Sequence, residues 1–223
     1  MLRPRPKVLV TGFEPFGDAV INPSWLVARA LHGRQIAGHA IVAARLPTVF
    51  GQSAALLSTL VQRHRPALVL CLGLAAGRTA ISLERVAINV DDARIPDNTG
   101  SQPLDEAVVV GAPTAYFSRL PVKAMLQAIR DAGVAAELSN TAGTFVCNHV
   151  FYALMHLLAT RRGHQPTQGG FVHLPCLPEQ AAAQGAGATM ALDDMARGLT
   201  AAIRAALQHA GGPDIALAAG TTH

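Results

Sequence analysis

Apolar runs of two lengths alternate along this chain, and that alternation limits its fold more than any other feature. Short β-rich runs at Lys7–Gly12, His39–Leu46, Ala67–Leu72, Val134–Leu138 and Gly170–His173 are interleaved with longer Ala/Leu-rich stretches at helical spacing. The first such stretch opens at Asn22-Pro23, an N-cap with proline at the first helical position, and is closed by Gly33. Further helices are predicted over Gly51–His64, Pro121–Ala132, Val146–Arg162 and Thr189–Gln208. Ile81–Val90 alternates enough to form another strand, with Ala67–Leu72 as its candidate neighbour. Strand–helix alternation of this kind implies an α/β protein, a three-layer α/β/α sandwich around a mostly parallel, twisted sheet. The 223 residues suit a single domain over 1–223, with a frayed tail from about 211 to 223.

Composition narrows the classes further. Half the residues are apolar and only 14% are charged, so disorder is excluded. The longest apolar stretch, Ala67 to Ala76, is far short of the ~20 residues that span a bilayer, and no signal peptide is visible, so no membrane role is expected. Net charge is +4 without a long Lys/Arg run, and aromatics are 4%, which argues against nucleic acid as a partner. Three cysteines without disulfide or metal spacing suit a reducing, cytoplasmic setting. The sparse charge hints that other subunits cover part of the surface.

Ligands of open α/β sheets collect at strand carboxyl ends, and the unusual residues lie in loops assigned there. Cys147 falls in the first turn of a helix behind the small-residue turn Ser139–Phe145, where unpaired N–H groups should pull its thiol below the free value of about 8.5. Those amides could also hold an oxyanion. Cys71 reads as core and Cys176 as structural. Nine histidines compete as the base. His149 points away from Cys147 on the same helix, His156 is too far along it, and His64 and His164 sit near helix ends. His173, ending the Gly170–His173 strand, is the best placed, although a core-packed histidine would be equally ordinary. For the orienting carboxylate, Glu84 lies in an otherwise uncharged strand run and needs a partner there. A surface pair with Arg85 is the alternative, and Asp91, Asp92 and Asp97 are rivals in a polar loop.

Five motifs, in order along most of the chain, resemble the pyroglutamyl peptidase I family of cysteine exopeptidases. They are Gly12-Phe13-Glu14-Pro15-Phe16-Gly17 with Asn22-Pro23-Ser24; Gly73 leading to Ile81-Ser82-Leu83-Glu84-Arg85-Val86-Ala87-Ile88-Asn89; Asp92-Ala93-Arg94-Ile95-Pro96-Asp97-Asn98; Ser139 through Cys147-Asn148; and His173-Leu174-Pro175 with Pro178-Glu179-Gln180. The resemblance places the family's catalytic glutamate, cysteine and histidine on Glu84, Cys147 and His173. It implies hydrolysis of the bond after an N-terminal pyroglutamyl residue, through a thioester, with His173 holding the thiolate as an ion pair. The substrate pocket would draw on Phe13, Phe16, Arg94, Ile95, Phe145 and Val146, with Arg94 near the oxyanion site. No cofactor or metal is implied, and a homodimer or homotetramer is. One departure stands out: after Gly73 the family commonly shows Gln, and this chain has Leu74.

Other readings were weighed on the same residues. A nucleoside phosphorylase would need a cationic phosphate site at Arg78 or Arg94. A non-catalytic binder of pyroglutamyl peptides is motivated by Leu74 alone. A metal site from Cys147, His149, His173 and Cys176 lacks the spacing of a zinc module.

Overall fold

The computed structural model describes residues 5–161, 167–180 and 189–220. Nine strands and five α-helices lie among them: β1 (Lys7–Phe13), α1 (Pro23–Leu31), β2 (Gln35–Ile36), β3 (His39–Leu46), α2 (Gln52–His64), β4 (Leu68–Leu74), β5 (Ile81–Glu84), β6 (Val86–Ile88), β7 (Ala115–Phe117), α3 (Val122–Asp131), β8 (Ala136–Ser139), α4 (Val146–Thr160), β9 (Gln168–Leu174) and α5 (Leu192–Gln208). Seven strands form one sheet in the order β2-β3-β1-β4-β9-β5-β8, and β6 pairs with β7 apart from it. The α/β sandwich and its largely parallel sheet are therefore as the alternation of runs predicts.

Residue alternation along the central strands builds two cores. Val8, Val10, Leu70, Leu72, Val172 and Leu174 face α1, α3 and α5. Leu9, Val69, Cys71 and Phe171 face α2 and α4. Strands buried on both faces read as continuous apolar runs, which is why β1 and β4 are so plain in the sequence. Fully burying each such side chain is worth about 1.5–3 kcal/mol.

The reading of Ile81–Val90 needs correction. It is two short strands, not one, and neither lies beside β4. At Arg85 the chain leaves the sheet, its N–H donating to the Ser139 carbonyl and its own carbonyl accepting from Ser118. Val86–Ile88 then pairs antiparallel with Ala115–Phe117. The place beside β4 goes to β9, which matches it over seven residues. An apolar strand of that length is a fuller partner than four-residue β5, which carries a polar side chain at every second position. β5 runs antiparallel to β9, and β8 parallel to β5. The reversal also means that Glu84 ends its strand level with the middle of β9 rather than at the sheet's edge.

Two local features fix the frame around the site. A Cβ on Gly12 would lie 2.3 Å from the Ser24 carbonyl oxygen and 2.5 Å from the Trp25 nitrogen, so α1 starts directly on the end of β1. Gly12→Ala is expected to cost about 1–3 kcal/mol or more of stability, read as a lower midpoint in urea. Asn22 caps α1 as predicted, its Oδ1 accepting from the Ser24 amide and hydroxyl. Residues 211–220, assigned from sequence to a tail, carry no regular element. Asp214 accepts from the Lys123 and Ala124 amides at the start of α3, and Leu217 and Ala219 pack on the core. Residues 221–223, like His164 and Arg162, lie outside the described residues.

Candidate active site

Strand alternation puts the polar residues of interest on one face. Ile81 and Leu83 point into the core beneath α1, α3 and α5, so Ser82 and Glu84 point the other way, toward α4. His173 is the register partner of Ser82 on one side and of Gly73 on the other. Glu84 is therefore the diagonal neighbour of His173 across an antiparallel pair, within reach of a long side chain. Nδ1 of His173 lies 2.8 Å from Glu84 Oε1. A carboxylate at Nδ1 makes that nitrogen the N–H donor and leaves Nε2 as the atom able to take a proton.

Cys147 enters from α4. Its Sγ would lie only 2.9 Å from a Cβ on Gly73, so the sulfur sits over the glycine's backbone. His173 is one strand further, about 4.8 Å across the sheet. Glycine is what lets the thiol approach. Gly73→Ala would also press on the Phe171 ring at 2.8 Å, and activity is expected to fall about 10-fold or more, measured as kcat on the cleavage assay described below.

Burial works against the charged forms of both the thiol and the imidazole. Burial pushes the Cys147 thiol up, the Glu84 charge adds to the rise, and Arg78 opposes it. This runs against the expectation that the helix start would pull it down: the residue is partly exposed, but its sulfur sits over Gly73 next to Phe171. Burial also lowers His173, against the hydrogen bond and charge of Glu84, which raise it.

Glu84 is fully buried and does not pair with Arg85. Its Oε1 accepts from Arg78 Nη1 at 2.7 Å as well as from His173. The rival acids are occupied elsewhere or exposed. Asp91 Oδ2 accepts a hydrogen bond from His149 Nδ1 at 2.7 Å, and Gly51 N–H donates to His149 Nε2, so both nitrogens of that ring are engaged. Asp97 ties a turn by accepting from Phe50, Thr99 and Ser101 amides. Asp92 is exposed. Arg78, once a candidate for phosphate, is committed to Glu84 and to the Thr141 carbonyl.

Beside Cys147 opens a cleft of about 100 Å³ lined by Phe13, Phe16, Asn22, Thr48, Leu74, Phe145, Val146 and Cys147. Phe16 and Phe145 meet edge to face at 5.2 Å, and Phe50 backs Phe145 at 5.3 Å. Arg94 and Ile95 are exposed and are not among these lining residues. They lie on the loop that Asn98 pins to Glu14 and Pro15, and that Thr144 and Asp92 pin to the turn before α4. Among the described residues, no charged side chain lines the cleft.

Several site residues carry no plain sequence signal of their role. Asn148, buried next to Cys147, accepts from the Ile88 amide and donates to the Ile88 and Val90 carbonyls, stitching β6 to α4. Asn22 reaches beyond its cap to the Glu14 carbonyl, and Thr48 bonds the same carbonyl. Both thereby brace the loop carrying Phe13 and Phe16. Asn22 and Asn148 stand inside motif segments and Thr48 in none; the distant partners of Thr48 and Asn148 leave no mark in the sequence.

A thiol at a helix mouth, against an imidazole–carboxylate pair on a mixed α/β sheet, is the equipment of a thiol hydrolase. The Pyroglutamyl peptidase family profile matches residues 6–209. The chain belongs to the pyroglutamyl peptidase family and is a peptidase. It is 54% identical over 202 residues to the pyrrolidone-carboxylate peptidase of Cupriavidus taiwanensis, covering 91% of this chain and 93% of that one. Pyrrolidone-carboxylate peptidase 1 of Ralstonia nicotianae is 52% identical over 218 residues, covering 98% and 100%. The crystal structure of pyroglutamyl peptidase I from Bacillus amyloliquefaciens superposes with a TM-score of 0.90 at 43% identity, over 96% of this chain and 99% of that one. A variant of the Pyrococcus furiosus pyrrolidone carboxyl peptidase gives 0.87 at 41%, over 91% and 98%.

Proposed function

We propose that this peptidase removes an N-terminal pyroglutamyl residue from peptides, with Cys147 as nucleophile, His173 as general base and acid, and Glu84 orienting the imidazole. One observation carries the reading: Cys147 lies at the junction of the His173–Glu84 pair and the uncharged aromatic cleft. Cys147 Sγ attacks the carbonyl carbon of the scissile amide while its proton passes to His173 Nε2. Burial, which works against both charged forms, supports an order in which thiolate and imidazolium form together during attack. The tetrahedral oxyanion faces the first amides of α4, where Phe145 at the N-cap makes no side-chain bond to them. Arg94, on the pinned rim loop, is a second proposed contact to that oxygen, with Ile95 beside it on the substrate. Nε2 then gives its proton to the departing amine as the C–N bond breaks, leaving a thioester. His173 next draws a proton from water, which hydrolyses the thioester and frees pyroglutamate and the thiol. Glu84 orients the imidazole and steadies the imidazolium without taking its proton.

The cleft suits a neutral lactam. Phe13, Phe16, Phe145, Val146 and Leu74 supply apolar wall, with Asn22 and Thr48 as the polar side chains. Leu74, the departure from the family pattern, is part of that wall. An ammonium group would be desolvated there without a counter-charge. A prolyl amide, with a ring of the same size but a charged nitrogen, is therefore expected to be cleaved about 100-fold more slowly than the pyroglutamyl amide, a difference of about 2.7 kcal/mol. The test is a pair of fluorogenic amides differing only in that ring; equal rates on both would refute the substrate assignment. A reduced Cys147 fits a cytoplasmic setting. Exposed Leu104, Val110 and Phe117 support assembly into a homodimer or homotetramer, which sedimentation equilibrium measures.

A further inference from the structure

Glu84 Oε1 receives two donors at once. His173 Nδ1 reaches it from β9 at 2.8 Å, and Arg78 Nη1 from the loop after β4 at 2.7 Å. The same guanidinium donates from Nη2 to the Thr141 carbonyl at 3.0 Å, in the turn that leads into α4 and Cys147. Glu84 Oε2 has no hydrogen-bond partner among the described residues, so both contacts converge on one oxygen. A planar fork can hold two acceptors in fixed relation, which a point charge on a flexible stem cannot.

We propose that Arg78 is a positioning residue of this enzyme: it clamps Glu84 against His173 and ties that pair to the turn delivering Cys147. The halves of the site come from β5 and β9 on one side and from the 139–145 turn on the other. The side-chain hydrogen bonds described for Glu84 run to Arg78 and His173, and Arg78 carries that carboxylate on to the Thr141 carbonyl, beside the backbone bond from Arg85 to Ser139 that joins β5 to the same turn. Without the clamp, the carboxylate is free to rotate and present the wrong oxygen, and the turn is free to shift. A displacement of about 1 Å at a reacting atom costs about 100-fold in rate. The charged and titratable groups around the guanidinium are Glu84, His173 and Cys147. The charge of Arg78 also favours the Cys147 thiolate, and its loss disfavours that anion.

The assignment rests on the functional reading above, and its test has a readout independent of substrate. Iodoacetamide alkylation of Cys147 reports thiolate formation directly, because Cys71 and Cys176 are fully buried. In Arg78→Met, with Arg78→Gln as a second uncharged variant, the onset of alkylation is expected about half a pH unit or more above that of the unmutated enzyme. On the pyroglutamyl amide, kcat is expected to fall about 10-fold or more, with KM within about threefold. Arg78→Lys keeps the charge and should restore the alkylation onset while recovering kcat only in part. Circular dichroism melts identify variants that are folded, and Arg78→Lys carries the kcat comparison if the uncharged ones are not. An unmoved onset in Arg78→Met and Arg78→Gln overturns the proposal. So does complete recovery of kcat in Arg78→Lys, which would reduce Arg78 to a background charge. A shifted onset in an enzyme that leaves pyroglutamyl amides intact would instead overturn the substrate reading and leave the clamp standing.

Discussion

Replacing Cys147 by alanine is expected to lower kcat/KM on a pyroglutamyl amide by about 10⁴–10⁶-fold, close to the uncatalysed background. The size of the effect follows from the chemistry. Without Sγ no thioester can form, and a water activated by His173 is a far weaker nucleophile than the thiolate. What survives is binding in the aromatic cleft and the α4 amides, which lower the barrier only modestly. The fold should persist, since the exchange removes one partly exposed sulfur from a large core. A melting temperature unchanged to within a few degrees, with cleavage lost, is the expected pair of results. Retained turnover in Cys147→Ala would remove the nucleophile from the mechanism altogether.

Glu84→Gln is expected to lower kcat by about 10³–10⁴-fold with little change in KM, the scale seen when a triad carboxylate becomes an amide. Glu84 raises the proton affinity of His173 through both its hydrogen bond and its charge, against burial, which lowers it. Removing the anion leaves burial unopposed, so imidazolium becomes still harder to form and attack by the neutral thiol slows. The sign for pH follows: His173 in the variant stays neutral to lower pH, and any remaining activity should keep its acid limb further down the scale. Stability should fall as well. Arg78 loses its counter-charge next to a buried site, although it is one-quarter exposed and water compensates in part. Measured kcat, KM and urea midpoints separate the catalytic loss from the structural one; a KM rise matching the kcat loss would point to substrate binding instead.

Much of the frame was legible along the chain. β3 at His39–Leu46 and the Asn22 cap of α1 stand where the runs and the Asn-Pro pair put them. Buried strands such as β4 advertise themselves because both faces need apolar side chains. What periodicity could not give was strand order. Ile81–Val90 alternates like one strand, but the break at Arg85 depends on Ser139 and Ser118 from later in the chain. The direction of the thiol's shift is not legible for a related reason. A helix start is visible in sequence, whereas the burial that outweighs it comes from Gly73, Phe171 and α4 closing together.

The sequence by itself determined the layered α/β architecture, the aromatic residues of the first loop and the short set of residues from which a thiol site could be drawn. Those properties are local, set by side-chain size, alternation and capping chemistry. Only the tertiary structure decided that Glu84 faces His173 across an antiparallel pair, that Asp91 belongs to His149, and that Arg78 holds both Glu84 and the turn before Cys147. Those partnerships join residues far apart along the chain. They rest on which strand lies beside which, and that choice is settled by the packing of whole strands and helices rather than by any one stretch of residues.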